Sequence, residues 1–374
     1  MCRRPSTRCS GRSWRSRRNC RRSGNAIGGS PIGSRHCSER RSGCKPTAVS
    51  GPAQAIEFSL GTGVFRQGEE HMKKSVRLAA TMLAAAALGA CGTTNSTTST
   101  NQPFKAAWIY VGTAGDHGWT QAHDDGRKVV EQQLGTAVKT TFKENVPEGP
   151  QVEQVVEGLV RDGNKIIFAT SFGFQDAMAN EAAKHPDVKF EQATGFKTAN
   201  NLAEYFGAAE DADYLTGMAL GAASSKGKIG FVAPFPIPEV IREINAVALG
   251  AQTTHPGATV QVVWTNTWFD PTKEKQAAQS LLSRGVDAIG QGQDSPATGE
   301  AAKAVGVKWS GYDSDQSNVA PDIWLTGTVY HWGPYYVKRV KAAMDGSWKT
   351  GSYYGSIGDG MIDIASTSRP SGSR

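Results

Sequence analysis

From Phe104 onward, apolar runs of strand length alternate with amphipathic segments of helix length. The predicted strands are 106–112, 138–142, 165–170, 189–195, 228–233, 260–266, 288–292 and 308–313, and the predicted helices are 119–133, 151–161, 175–184, 211–224, 238–253, 271–284 and 297–305. Regular alternation of this kind is typical of parallel sheets whose strands are joined through helices. One sheet of so many strands would be unusually wide, so we predict two α/β lobes.

Two stretches interrupt the alternation, the helix-poor residues 200–207 and the long apolar run 323–330. We predict that the chain crosses between lobes there, with 104–207 plus 331–347 in lobe 1 and 208–330 plus 350–365 in lobe 2. Ligands of doubly wound sheets bind beyond the carboxyl ends of the strands. Two facing lobes would form a cleft at that edge, so the sequence predicts an interlobe ligand site.

An export signal precedes this pattern. Residues 72–77 read Met-Lys-Lys-Ser-Val-Arg, and 78–90 are apolar except for Thr81 and end in Leu-Gly-Ala before Cys91. A positive segment, a short apolar segment and small residues form a signal peptide, and the run is shorter than the roughly 20 residues that span a bilayer. Leu-Gly-Ala-Cys resembles the bacterial lipobox. We therefore predict a signal peptide over 72–90, a lipid-anchored mature protein that begins at Cys91, and a flexible polar spacer over 91–103.

The residues before Met72 differ in composition from the rest. They hold 14 Lys and Arg residues, four Glu, no Asp and five of the six cysteines. Such a segment could bind nucleic acid or a metal, but neither role fits an export signal that begins at Met72. We predict that residues 1–71 are not translated or are disordered. From Cys91 onward, 30 acidic residues outnumber 24 basic ones, which argues against a nucleic-acid partner.

Loops beyond the predicted strands carry aromatic and acidic side chains. They include Asp116, Trp119, Phe172, Phe174, Asp176, Trp268, Asp270, Asp294, Asp313 and Trp332. Aromatic rings stack on planar ligands, and carboxylates accept hydrogen bonds from ring nitrogens, amines or hydroxyls. Any one aromatic could be ordinary loop packing, but repetition in several loops favours a binding site. We interpret Asp176 and Asp270 as helix N-terminal residues, and Asp294 and Asp313 as ligand-binding residues.

Catalytic signatures are missing from the sequence. It has no G-x-S-x-G elbow, no P-loop, no G-x-G-x-x-G after a strand and no metal-spaced His/Cys set. The histidines after Cys91, at 117, 123, 185, 255 and 331, are scattered. We therefore predict a binding protein with no cofactor and no metal, and not an enzyme. A regulator of similar fold would need a DNA-binding headpiece, which an exported domain could not use.

Six blocks resemble the basic membrane protein family of ABC-transporter substrate-binding lipoproteins, and most closely its purine-binding branch. They are ENVPEGP (144–150), FATSFGFQD (168–176), FPIPEVIREIN (235–245), NTWFDP (266–271), GYDSD (311–315) and WGPYYVKRVKA (332–342). The resemblance covers about residues 104–365. It implies a type I periplasmic-binding fold with three crossovers, closure on a purine base or nucleoside, and delivery to an ABC permease in the membrane. We also expect a monomer.

The resemblance also implies roles for individual residues. By motif, Trp119 and Phe174 would stack on the purine, Asn245 and Asp294 would read its polar groups, Asp313 would accept hydrogen bonds, and Trp268 and Trp332 would line the cleft. Asp116 and Phe172 complete the predicted ligand-binding set. The first loop reads Asp-His-Gly-Trp where the nucleoside-binding branch commonly has Asp/Asn-Lys-Ser-Phe, and His331-Trp332 stands near a frequent lysine. These departures favour a bare base such as adenine. A sugar ligand and a ligand-sensing receptor lobe remain alternatives.

The C-terminal residues form a second departure. Family members usually continue past a segment like 360–365 with a Pro-containing loop and a final helix. Here 366–374 reads STSRPSGSR, whose composition resembles that of residues 1–71. We predict an aberrant tail that results from a frameshift or a truncation.

Overall fold

The computed structural model describes residues 102–366. The predicted signal peptide, Cys91 and most of the predicted tail lie outside these residues, as do residues 1–71. Within the described range the strands are β1 (Phe104–Ile109), β2 (Val138–Lys143), β3 (Ile166–Ala169), β4 (Lys189–Ala193), β5 (Leu202–Gly207), β6 (Lys228–Ala233), β7 (Thr259–Trp264), β8 (Ala288–Gln291), β9 (Lys308–Gly311), β10 (Trp324–Tyr330), β11 (Ser352–Gly355) and β12 (Ile362–Ile364). The α-helices are α1 (Trp119–Leu134), α2 (Gln151–Arg161), α3 (Gln175–Lys184), α4 (Ala209–Ala223), α5 (Pro238–Thr254), α6 (Pro271–Ser283), α7 (Ala297–Lys303) and α8 (Trp332–Asp345).

The strands form two six-stranded sheets. The first has the order β11-β5-β4-β3-β1-β2, and all its neighbours are parallel. The second has the order β12-β10-β9-β8-β6-β7, in which only the β10–β12 pair is antiparallel. The prediction of two doubly wound α/β lobes is therefore confirmed.

Each sheet is buried on both faces, as parallel sheets usually are. In β1, Ala106 and Trp108 face one hydrophobic cluster, while Ala107 and Ile109 face another. In the second sheet, Val232 belongs to one cluster and its neighbours Phe231 and Ala233 to another. The alternation follows from the two-residue period of a strand, so helices must cover both faces of each sheet.

The helices show why the sequence forms them. In α2, Val152, Val156 and Leu159 are buried on one face, at the spacing of an amphipathic helix. α6 begins at Pro271, and the side chain of its N-cap Asp270 accepts a 3.0 Å hydrogen bond from Lys273 N. No helix within residues 102–366 is both long enough and apolar enough to cross a bilayer.

Three crossovers join the two sheets, and they refine the predicted lobe boundaries. Residues 200–207 and 323–330 contain strands β5 and β10, and the chain changes sheet directly after each. The third crossover lies between β11 and β12. The predicted boundaries place 350–365 in lobe 2 as one piece, but β11 pairs with β5 of the first sheet, so Ser352–Gly355 belongs to lobe 1. We use lobe 1 and lobe 2 below for the parts built on the first and the second sheet.

Candidate functional site

A cavity lies between the two sheets. Its lining residues come from loops and helix starts beyond the carboxyl ends of strands of both sheets, as expected for doubly wound folds. They are Val111, Trp119, Ser171, Phe172 and Thr194 from lobe 1, and Pro234, Glu239, Val240, Glu243, Trp268, Gly292, Asp294 and Tyr312 from lobe 2. Of the nine predicted site residues, the structure brings four to this cavity: Trp119, Phe172, Trp268 and Asp294.

Trp119 is held in one orientation at the start of α1. Its indole Nε1 donates a 2.6 Å hydrogen bond to Thr170 O at the end of β3. Its ring meets those of Tyr330 and Trp332 edge to face, with centroids 5.6 and 5.7 Å apart. Only 8% of the residue is exposed. The indole therefore presents a fixed wall to the cavity.

Asp116 organises the start of α1. Its Oδ1 accepts hydrogen bonds from the backbone N–H groups of Gly118 and Gln121, and its Oδ2 accepts one from Thr120 N, each at 2.9 Å. Burial raises the pKa of this carboxyl, although the three N–H donors oppose the rise. Asp116 does not line the interlobe cavity. Its geometry is that of a capping residue, which fixes the helix that carries Trp119.

The wall from lobe 2 is acidic. Glu243 accepts a 3.0 Å hydrogen bond from the hydroxyl of Tyr312, and burial raises the pKa of Glu243 to about 8. Burial, together with repulsion from Glu243, also raises the pKa of Glu239 well above its usual range. Asp294 has one buried oxygen, Oδ2, that receives no hydrogen bond from a protein group. Burial raises the pKa of Asp294 strongly, and the negative charge of Asp116 adds to the rise.

Asp313 is the carboxylate of the described residues whose hydrogen-bonding capacity is least satisfied. It is completely buried, both of its oxygens lack a hydrogen-bond partner, and its φ is +70°. Burial and repulsion from Asp294 raise its pKa well above the usual range. A buried acceptor without a donor costs about 1–3 kcal/mol or more, and positive φ adds strain at a non-glycine residue. Such a combination is typical of a functional position.

Trp332 lies beside Asp313 in a second depression, between α1, α8 and the loop after β9. Its ring is stacked between Tyr330, at 4.7 Å, and His123, at 4.4 Å, and its Nε1 is buried without a partner. The Trp332 indole N–H is thus a donor without an acceptor, and the two Asp313 carboxyl oxygens are acceptors without a donor. Both residues lie outside the interlobe cavity, and the Trp332 ring contacts that of Trp119.

Two predicted residues lie elsewhere. Phe174 is completely buried in the core beneath the first sheet, in the same cluster as Val152 and Met178, so its predicted stacking role does not fit this arrangement. Asn245 is exposed and lies in a surface groove beside Ile241 and Leu249, so its predicted role as a polar reader does not fit either. Helix phase explains the second difference: two residues along an α-helix rotate the side chain by about 200°, so Glu243 faces the cavity and Asn245 faces away.

Glu239, Glu243 and Tyr312 line the cavity but are not among the predicted site residues. A signal was present, because Glu239 and Glu243 are four residues apart in a helix that starts at Pro238 directly beyond a strand, and such a pair shares one face. Tyr312 stands next to Asp313 in the quoted GYDSD block. Thr194, which directly follows β4 and has a φ of +59°, carried no such signal.

The two lobes touch directly around the cavity. The backbone oxygen of His117 accepts hydrogen bonds from Ser314 Oγ, at 2.6 Å, and from Gln316 Nε2, at 2.8 Å. A Cβ on Gly118 would lie 2.0 Å from the backbone oxygen of Asp294. The structure is therefore the closed arrangement, in which the start of α1 fits against the loop after β8.

The charge of the lining limits what can bind. Among the lining residues named above are three carboxylates and no Lys, Arg or His. A phosphorylated ligand would find no cation there to pair with its charge. Neutral or cationic ligands rich in N–H or O–H donors would satisfy the free acceptors.

A separate group away from the cavity is close enough to hold a cation. It consists of Glu157 on α2, Glu181 on α3 and His185 directly after α3. His185 Nε2 lies 3.2 Å from Glu157, which is an ordinary ion-pair distance.

Comparison with known proteins agrees with the geometry. A purine-binding protein of Brucella abortus is 44% identical over 264 residues, which cover 71% of this chain and 75% of the relative. A Haloferax volcanii protein with the provisional name of ABC transporter glucose-binding protein is 38% identical, over 70% of this chain and 67% of the relative. Both matches are long enough and similar enough to show a common family.

Solved structures share the fold. A solute-binding protein of Aeropyrum pernix superposes with a TM-score of 0.62 at 22% identity, over 71% of this chain and 77% of the other. One from Conexibacter woesei has a TM-score of 0.59 at 18% identity, over 71% and 89%. These neighbours confirm the two-lobe type I periplasmic-binding fold. The family model described as "ABC transporter substrate-binding protein PnrA-like" matches residues 104–372, so this chain belongs to that family of solute-binding proteins, which are not enzymes.

Proposed function

We propose that this protein captures a purine base or nucleoside between its lobes, with an adenine-like base favoured, and delivers it to the permease of an ABC importer. The observation that carries the proposal is the pairing of three lining aromatic side chains, Trp119, Phe172 and Trp268, with buried oxygens of Asp294 and the nearby Asp313 that lack donors. A purine offers a flat aromatic face and N–H donors on one rim. The Brucella abortus relative, named for purine binding, supports the same choice.

A sugar is the second candidate. The Haloferax volcanii relative is named for glucose binding, and carboxylates accept hydrogen bonds from hydroxyls as readily as from N–H groups. The two candidates differ in how they would contact the aromatic wall. A base is planar and would stack on it with its whole face, whereas a sugar ring is not planar. A ligand-sensing receptor lobe of the same fold would use the same cavity and differ only in its partner.

A ligand panel tests this proposal. Purified protein is titrated with adenine, guanine, hypoxanthine, their nucleosides, AMP, glucose and ribose, with thermal unfolding as the readout. Ligand at a hundredfold excess over Kd stabilises the native state by about 2.7 kcal/mol. We expect purine bases to raise the melting temperature and AMP to leave it unchanged. A glucose response with silent purines would overturn the ligand assignment.

We further propose that the protein is exported and works as a monomer on a lipid anchor at Cys91. The support is the charged, apolar and small-residue sequence of 72–90 followed by Cys91. Several acyl chains would be needed for stable anchoring, because one chain binds membranes only marginally. Palmitate labelling in a bacterial host should mark the wild-type protein and be lost in Cys91→Ser. Equal labelling of both would contradict the anchor.

A further inference from the structure

Glu148 joins the two aromatic walls of the cavity without lining it. It lies between β2 and α2, and its Oε1 accepts hydrogen bonds from Ser171 Oγ at 2.6 Å, from Gly173 N at 2.8 Å and from Trp268 Nε1 at 3.1 Å. The first two donors flank Phe172 in the loop after β3. The third belongs to lobe 2, in the loop after β7. One carboxylate oxygen therefore links the loop that carries Phe172 to the side chain of Trp268 across the lobe boundary.

Local sequence makes this contact possible. A Cβ on Gly173 would lie 2.3 Å from the Cδ of Glu148, so only glycine lets the carboxylate reach the backbone N–H. On the other side, the Trp268 ring packs against Phe235, with centroids 5.0 Å apart. The indole is thus fixed by a ring contact within its own lobe and by a hydrogen bond to the other lobe.

We propose that Glu148 is a positioning residue that clasps the closed lobes and sets how long the ligand stays bound. This inference rests on the proposed function. If the lobes separate to release ligand, the bond from Trp268 to Glu148 must break, so its free energy adds to the barrier for release. Hydrogen bonds to a charged acceptor are stronger than neutral ones. Removing the clasp should therefore raise the dissociation rate and leave the association rate nearly unchanged.

The test compares three variants in the full chain, with adenine as the probe. Glu148→Ala removes the acceptor. Glu148→Gln keeps an oxygen acceptor and removes the charge. Glu144→Ala is the matched control, because Glu144 lies in the same segment and its carboxylate contacts only Thr113 and Ala114 of its own lobe. Stopped-flow tryptophan fluorescence gives the rates, since Trp119 and Trp268 line the cavity.

We expect Glu148→Ala to raise the dissociation rate about tenfold, Glu148→Gln to raise it less than about threefold, and Glu144→Ala to leave it within about twofold, following the usual strengths of charged and neutral hydrogen bonds. Unchanged dissociation in Glu148→Ala would overturn the inference. So would an equal increase in Glu144→Ala, because the effect would then come from lost charge in the segment.

A second measurement separates this inference from the proposed function. If the parent protein does not bind adenine, the proposed ligand is wrong, but the clasp can still be tested by hydrogen exchange at the Gly173 amide and the Trp268 indole. Both should exchange at least about tenfold faster in Glu148→Ala and stay protected in Glu148→Gln, because only the first loses the acceptor. Equal protection in both variants would show that no clasp exists.

Discussion

The two walls of the cavity differ in their ionisable groups and in how well their polar groups are satisfied. Lobe 1 contributes Val111, Trp119, Ser171, Phe172 and Thr194, none of which carries a charge. Lobe 2 contributes three carboxylates, from Glu239, Glu243 and Asp294, together with a tryptophan and a tyrosine. A ligand with one flat face and one donor-rich edge would therefore orient itself, with its donors toward lobe 2.

The contrast extends to preorganisation. In lobe 1, the Trp119 indole already donates to Thr170, and Asp116 already accepts three backbone hydrogen bonds. In lobe 2, Asp294 and the adjacent Asp313 keep buried oxygens without donors. Because unsatisfied buried acceptors are costly, lobe 2 gains more when a ligand supplies donors. We therefore expect the neutral wall to place the ligand and the acidic wall to gain hydrogen bonds when the ligand binds.

The largest expected effect comes from preventing the two walls from meeting. Gly118→Ala would place a Cβ 2.0 Å from the backbone oxygen of Asp294, so the backbone must move before the lobes can close. We expect adenine affinity to fall by about a hundredfold, since overpacking of this kind typically costs about 1–3 kcal/mol. Gly115→Ala is the control, because its Cβ would meet nothing within 4 Å. Calorimetric titration measures both, and equal affinities would rule out tight closure at Gly118.

The aromatic wall of lobe 1 should carry the next largest effect. Trp119→Ala removes the ring and should weaken adenine binding by about 1–3 kcal/mol, the range found for bases stacked on aromatic side chains. Trp119→Phe keeps a ring and should recover part of that loss. Phe196→Ala serves as the control, because Phe196 is 72% exposed although its ring lies 6.4 Å from that of Phe172. If Trp119→Ala and Phe196→Ala bind adenine equally well, Trp119 does not stack on the base. If glucose is the ligand, the stacking of a planar base does not account for the aromatic residues of lobe 1.

Helix and strand positions could be predicted well because the two periodicities are clear. The helices 151–161 and 175–184 and the strand 228–233 have the predicted bounds. Other predicted strands run too far at their carboxyl ends: 106–112 extends past Ile109, where β1 ends. The physical reason is that Val111 stays apolar because it lines the cavity, so its hydrophobicity reflects the site and not the sheet.

Individual site residues were harder to predict because side-chain direction depends on local geometry. Phe172 and Phe174 are two residues apart in one 3₁₀ turn, which has three residues per turn. The first reaches the cavity and the second is buried in the core. Glu148 carried no sequence signal as a clasp, because its partners Ser171, Gly173 and Trp268 are distant in sequence. The three-residue β12 and the β11 pairing with lobe 1 likewise depend on contacts across the fold.

The smallest expected effect concerns the acidic wall and pH. Burial raises the pKa of Glu243 to about 8, although the Tyr312 hydroxyl and the Arg242 charge oppose the rise. In the unfolded chain this carboxyl would ionise near its ordinary value of about 4.3. Between these values the folded state holds a proton that the unfolded state has lost, so stability falls as pH rises, by up to about 1.4 kcal/mol per pH unit.

Urea unfolding of ligand-free protein at pH 5.5, 6.5 and 7.5 measures this slope. Glu243→Gln keeps an acceptor for Tyr312 but cannot titrate. The unfolding free energy should therefore fall less steeply with pH, and the change in slope should correspond to about one bound proton. Glu300→Gln, on the exposed face of α7, should leave the slope as it is. Other buried carboxyls whose pKa values are raised, among them Glu239, Glu274, Asp294 and Asp313, account for a residual slope in both variants. Parallel curves for wild type and Glu243→Gln would show that Glu243 does not hold the extra proton of the folded state, and the contrast between the walls would then rest on Glu239, Asp294 and Asp313.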